Sequence, residues 1–259
     1  MTQPKTPHFG FTRIFEGVLA RQDHVRGDII LLYKNRLRRI RRDTESHDDV
    51  LRLLPTVRWT EKYPPAPNSI QIQVTKACNF ACSFCYANAT NASTPASHMS
   101  FDQARHLIDV AFEWGVPQLQ WVGGEAFVNK DFPKIVEYAK GLGLVQNIIT
   151  NGMIPGVRLD KFADTLRAFA TIQISANAVG DDFDTLVGRS VYDRFVAATQ
   201  AINDLCGTVW LSCVVTPTNV TNLGDIISLA ERTGVRGITF GILAKQGRAN
   251  ADDSASYFS

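Results

Sequence analysis

From Ser69 onward the chain alternates between two hydrophobic rhythms. "SIQIQVT" (69–75) sets β-branched and polar residues at alternate positions, the period-two pattern of a strand. "SFDQARHLIDVAFEWG" (100–115) returns its apolar residues every three to four positions, the period of an amphipathic helix. Ser100 suits the cap at its start and Gly115 its end. The exchange then repeats. Strands are expected at "QLQWVGG" (118–124), "VQNIITNG" (145–152), "TIQISANA" (171–178), "TVWLSCVVT" (208–216) and "GITFGILA" (237–244). Helices are expected between them at 131–141, 158–169, 190–206 and 221–234.

Strands separated by helices predict an α/β fold: a parallel sheet with helices on its outside. Eight such units close a full barrel. Six predict a partial (β/α)6 TIM-like barrel, with ligands at the carboxyl ends of the strands. The first 66 residues stand outside the rhythm. They are basic, hold helix-like stretches and end in the breaker "EKYPPAPNS" (61–69). The expected organisation is an N-terminal basic, partly helical extension over 1–66, the barrel over 67–247 and a short tail over 248–259. Within the extension, "KNRLRRIRR" (34–42) reads as a helix with Leu37 and Ile40 inward and its arginines outward. That face is either simply solvated or a docking patch for an acidic peptide, a phosphate-bearing substrate or an acidic electron donor.

Composition adds constraints. Hydrophobic residues are 45% and charged residues 20%, as in ordinary globular proteins, and the net charge of +2 gives no general reason to expect nucleic acid. Trp59 and Tyr63 do not make the aromatic platform of a single-strand binder. No apolar run reaches the roughly 18–20 residues that span a bilayer, and the N-terminus lacks the pattern of a signal peptide. A cytoplasmic location is expected, where thiols stay reduced. Five cysteines are an odd number, which argues against a purely disulfide framework.

Three of the five fall within "KACNFACSFCYA" (76–87): Cys78, Cys82 and Cys85, directly after the first barrel strand. Thiolates suit zinc or an iron–sulfur cluster. A structural zinc wants four ligands, and His98 is the nearest candidate for a fourth. This alternative describes a non-catalytic, zinc-stabilised binding module. A cubane [4Fe–4S] cluster needs only the three, leaving one iron open to a small molecule.

The Cys-x3-Cys-x2-Cys loop, with Phe84 before its last cysteine, Asn79 after its first and Tyr86 after its last, resembles the radical S-adenosylmethionine (radical SAM) enzymes. Further motifs fall at the strand ends where that family has them. Gly123-Gly124-Glu125 ends the second strand, and in the resembled family this segment meets the amino group of SAM; a carboxylate there can take an ammonium. Asn151-Gly152 ends the third strand and also fits a plain turn. Ser175 and Asn177 match a Ser-x-Asp ribose motif with an amide in place of the acid. Ile242 to Ala244 correspond to residues flanking the adenine. Gly247-Arg248-Ala249 resembles the peptide-modifying (SPASM/twitch-like) subgroup, which carries auxiliary clusters further on. No cysteine follows Cys213 here, so none is expected within these residues. The resemblance covers roughly 67–249.

The resemblance implies a [4Fe–4S] cluster on Cys78, Cys82 and Cys85, which cleaves SAM reductively to a 5′-deoxyadenosyl radical that takes hydrogen from a substrate. It implies a flavodoxin- or ferredoxin-like electron donor and a substrate that is a ribosomally made peptide or a small biosynthetic molecule. A degenerate fold that binds the cluster without turnover is a third reading. Cys213, mid-strand, is a weak candidate for giving a hydrogen atom to a product radical, against its usual role as a small buried hydrophobe. Cys206 reads as inert, and His98 as facing water rather than holding the cluster loop.

Overall fold

In the computed structural model, residues 12–15, 18–22, 28–33, 36–41, 43–52, 67–92, 94–154, 159–244 and 246–250 are described. The breaker segment before residue 67, with Trp59 and Tyr63, and the tail after residue 250 lie outside them.

The barrel is a six-stranded parallel sheet whose spatial order follows the chain: β5 (Ile70–Gln73), β6 (Gln118–Val122), β7 (Val145–Thr150), β8 (Thr171–Ser175), β9 (Val209–Val215) and β10 (Ile238–Ile242). The intervening helices are α2 (Phe101–Trp114), α3 (Phe132–Gly141), α4 (Leu159–Arg167), α5 (Gly180–Val187), α6 (Tyr192–Cys206) and α7 (Leu223–Thr233). β5 and β10 are the sheet's two edges and do not pair, so the barrel is open along one side.

Register explains the two faces. Ile72, Trp121, Ile148, Ile172, Leu211 and Ile238 share the face buried under the helices. Gln71, Gln120, Asn147, Gln173 and Ser212 share the other, the lumen. Phe132 at the start of α3 wedges between Trp121 and Phe127, with edge-on centroid distances of 5.9 and 5.3 Å. Local signals stop and start the helices as expected. The Ser100 hydroxyl accepts from Gln103 N, Gln103 caps in return, and Gly115 leaves α2 at φ 86°.

The N-terminal region corrects the sequence reading. It holds a four-stranded antiparallel meander, β1 (Thr12–Phe15), β2 (Val18–Gln22), β3 (Ile29–Tyr33) and β4 (Arg36–Ile40), followed by the short helix α1 (Glu45–Leu51). Residues 36–40 of the arginine-rich run are therefore a strand. Its conformation is dictated by pairing with the apolar β3, Leu37 opposite Leu32 and Arg39 opposite Ile30; a tertiary partner overrides a weak local pattern. Arg39 is not outward either, since it pairs with Asp28 at 3.0 Å, whereas Arg36 and Arg38 are exposed. Leu19, Ile30 and Leu32 join the barrel's own core, and Arg21 donates to Asn68 just before β5 (3.3 Å). The meander thus sits at the amino-terminal mouth of the barrel. There, Arg36 and Arg38 share a cavity of about 490 Å³ with Gln118, Gln120 and Asn147.

Candidate functional site

The carboxyl ends of the strands carry the site. After β5 the chain forms a loop stitched at its base by Lys76 N–H to Ser97 O (2.8 Å) and Cys78 N–H to Thr90 O (2.8 Å). The Thr75 hydroxyl contacts His98 Nδ1 at 2.9 Å, and the two residues form a β-bridge. His98 therefore fastens the loop's base and does not simply face water. Asn129 ties the same base to α2, donating to Val74 O (3.1 Å) and Met99 O (2.8 Å).

The loop rests on the glycines that follow β6. Gly124 N–H donates to Thr75 O (2.9 Å) and Glu125 N–H to Ala77 O (2.8 Å). A Cβ on Gly124 would lie 2.1 Å from Ala77 O and 2.9 Å from Cys78 Cβ. Only glycine permits this approach. The Gly-Gly-Glu turn and the three-cysteine loop, far apart in sequence, are thus in backbone contact.

Glu125 departs from the expectation. Its carboxylate is 0% exposed and accepts from Phe127 N–H (3.2 Å), the Thr150 hydroxyl (2.8 Å) and Asn151 N–H (2.8 Å). Burial pushes its pKa up, against the lowering effect of those three donors. A ligand's ammonium cannot reach this carboxylate in this conformation. Its work is to pin the end of β7 to the end of β6. Asn151, held there, sends Nδ2 to Asn79 Oδ1 (2.7 Å) and to Cys78 Sγ (3.7 Å).

Cys78 and Cys82 both have pKa values raised to about 11, chiefly by burial. Cys82 and Cys85 each raise that of Cys78 further, so the three thiols lie within electrostatic reach of one another. Among the described residues no three Cys, His, Asp or Glu side chains converge on a single metal ion. A four-iron cubane is wider, taking one thiolate per iron. The donor set fits it: three thiols on one loop, the Cys78 sulfur already accepting from Phe80 N–H (3.3 Å) and Asn151.

Beside the loop lies a cavity of about 430 Å³, within the range of small-molecule sites. Ser83 and Phe84 of the loop, Asn177 after β8, Thr216 to Asn219 after β9, and Leu243 after β10 line it. The four residues expected at the cofactor on these strand ends fall variously around it. Ile242 is 77% exposed and Ala244 is exposed, both outside the cavity, while Leu243 between them lines it. Asn177 faces the cavity, but its Oδ1 accepts from Val214 N–H (2.7 Å), leaving its NH2 for a ligand. Ser175 ends β8 opposite Ser212 and is not part of the lining. Cys213, fully buried, shares the helix-side face with Leu211, so it does not point into the lumen. Residues the sequence left unassigned are Asn219, which donates to Asn177 O and Val214 O (2.9 Å each), and Arg248, described below.

Residues 72–239, more than half of the chain, match the family model of the radical SAM superfamily. The chain belongs to this superfamily. A PqqA peptide cyclase from Xanthomonas campestris pv. campestris (strain B100) is 29% identical over 178 residues, 67% of this chain and 46% of the cyclase. An AdoMet-dependent heme synthase from Methanosarcina barkeri is 26% identical over 197 residues, 74% of this chain and 55% of the synthase. The chain thus spans about half the length of these relatives. Among solved structures, Streptococcus suis SuiB bound to S-adenosylmethionine superposes with a TM-score of 0.66 at 15% identity, covering 89% of this chain and 63% of SuiB. Native anSMEcpe, solved with bound AdoMet and a peptide, gives 0.56 at 14% identity over 68% of this chain and 51% of its own. These likenesses bear out the partial barrel. Among the described residues no helix is long and apolar enough to cross a membrane.

Proposed function

We propose that Cys78, Cys82 and Cys85 hold one [4Fe–4S] cluster, that SAM binds beside it in the cavity walled by Phe84, Asn177 and Leu243, and that the enzyme acts on a peptide. When bound, the reduced cluster supplies the electron that cleaves SAM to methionine and a 5′-deoxyadenosyl radical, which takes a hydrogen atom from the substrate. The chain's own residues do the placing. Gly123 and Gly124 keep the turn's backbone thin beside the cysteines. Glu125 and Asn151 fix the geometry around Cys78. Phe84 and Leu243 give the cavity apolar walls that exclude water. The single observation that carries the reading is the backbone seam between the Gly-Gly-Glu turn and the cysteine loop.

The peptide half of the proposal has separate support. Residues 67–259 are about three quarters of the chain, so a match to SuiB over 89% extends into the first 66 residues. SuiB is also solved bound to its precursor peptide SuiA, and the relatives include peptide cyclases. The heme synthase relatives favour the alternative of a small-molecule substrate. A flavodoxin- or ferredoxin-like donor supplies the electron.

Anaerobic reconstitution tests the chemistry. A brown protein with about four irons and four sulfides that releases 5′-deoxyadenosine from SAM under reduction is expected. A colourless protein with one zinc overturns it. Deoxyadenosine formed without a mass change in any candidate peptide, but with conversion of a small molecule, moves the substrate to the alternative.

A further inference from the structure

The open side of the barrel is bridged at its top by one residue of the segment after β10. Arg248 donates from its backbone N–H to Cys85 O (3.0 Å), from Nε to Cys82 O (2.8 Å) and from Nη1 to Ala89 O (2.8 Å). Gly247 makes room for this. Its φ is +64°, and a Cβ there would stand 2.3 Å from both Cys85 O and Tyr86 O. The next residue, Ala249, is buried and lines the same cavity as Phe84 and Leu243. The segment that forms one wall of the cofactor cavity therefore also grips the cysteine loop.

The chemistry of the grip is uneven. Three carbonyls satisfy donors of Arg248, yet none of the ion pairs among the described residues includes it. Among the described residues this partly buried guanidinium has carbonyl partners but no carboxylate, and a cation placed so favours an anion beside it. It also lines a cavity of about 610 Å³ together with Cys78. A cluster held by three thiolates is an anion delivered to that place.

We propose that Arg248 is a positioning residue of this site with two separable effects: its planar fork fixes the cysteine loop against the end of β10, and its positive charge is the counter-charge that raises the cluster's reduction potential. The second effect rests on the cluster proposed above; the first does not. A positive charge nearby favours the more negative, reduced state. Lysine keeps the charge but cannot reproduce a planar fork reaching two carbonyls.

The experiment compares wild type, Arg248→Lys and Arg248→Gln. Hydrogen exchange of the amides of residues 78–92 is followed in the cluster-free protein. The midpoint potential is followed by redox titration with paramagnetic resonance in the reconstituted protein. Both variants are expected to exchange loop amides at least tenfold faster than wild type. Arg248→Gln is expected to have a more negative potential, and Arg248→Lys one close to wild type. Unchanged exchange in both variants overturns the strap. Equal potentials in wild type and Arg248→Gln, or equal shifts in both variants, overturn the counter-charge. A wild type that takes up no four-iron cluster defeats the functional proposal instead, and the exchange measurement still decides the strap.

Discussion

Gly124→Ala tests how the site is built, because one added carbon meets backbone and nothing flexible. The new Cβ would lie 2.1 Å from Ala77 O, 2.5 Å from Ala77 C and 2.9 Å from Cys78 Cβ. Carbon contacts become comfortable only at about 3.5 Å, so the Ala77 carbonyl must retreat by more than about 1 Å. That movement breaks the 2.8 Å bond it accepts from Glu125 N–H and strains the neighbouring 2.9 Å bond between Gly124 N–H and Thr75 O. Overpacking of this kind costs about 1–3 kcal/mol. Leaving buried backbone groups unpaired adds about 1–3 kcal/mol. A loss of roughly 2–6 kcal/mol lowers Tm by roughly 5–20 °C in a chain of this size. Cys78 moves with Ala77, so iron uptake falls as well. The assay is thermal unfolding of the cluster-free protein together with iron and sulfide content after anaerobic reconstitution. Gly224→Ala on α7 is the matched control: nothing lies within 4 Å of its Cβ. It should be neutral or stabilise by up to about 1 kcal/mol. A Gly124→Ala protein that melts with wild type and loads the same iron refutes the seam between the two motifs.

Other outcomes follow from the same geometry. Replacing Cys78, Cys82 or Cys85 by alanine should abolish four-iron loading, whereas Cys206→Ala and Cys213→Ala should leave iron content unchanged; iron analysis decides. Glu125→Gln replaces one acceptor oxygen with an NH2 that faces another donor and should destabilise by about 1–3 kcal/mol in denaturant titrations at neutral pH. Because the Glu125 pKa is raised on folding, the folded state holds its proton more tightly than the unfolded one. Wild-type stability from this group is therefore greatest near and below the ordinary value of 4.5 and declines as pH rises toward the folded value. The difference between wild type and Glu125→Gln should change accordingly, and a difference flat with pH contradicts the raised pKa. Asn151→Ala removes a donor to the Cys78 sulfur and should make the cluster's potential more negative in a redox titration; an unshifted potential counts against that contact.

The parts of the molecule that were legible are those written in local terms. Ser100 and Gly115 bound α2 by a short-range hydrogen bond and a left-handed exit. The alternation in 118–122 and 171–175 reappears as β6 and β8. The spacing of Cys78, Cys82 and Cys85 is likewise local, and so was readable. What failed to show depends on partners far along the chain. β4 takes its conformation from β3, so its arginines misled. α5, a short helix entered from Val179 without a side-chain cap, follows β8 so closely that the pattern merged it with a loop. Glu125 and His98 were visible as residues, but their roles were not. The donors that fill the Glu125 carboxylate come from Phe127, Thr150 and Asn151, and Thr75 engages His98 across 23 positions. Within the expected run Ile242 to Ala244, Ile242 turns outward and Leu243 inward, because alternate residues face opposite sides, which a range read from the sequence does not resolve.

The strap at Arg248 also bears on when this protein can be completed. Arg248 reaches Cys82 across 166 residues. At ribosomal speeds of about 5–20 residues per second, the cysteines leave the ribosome roughly 10–30 s before the arginine that braces them. During that interval the thiols are displayed on a nascent chain whose far wall does not yet exist. Metal supplied too early meets an unframed loop; metal supplied after release meets a finished one.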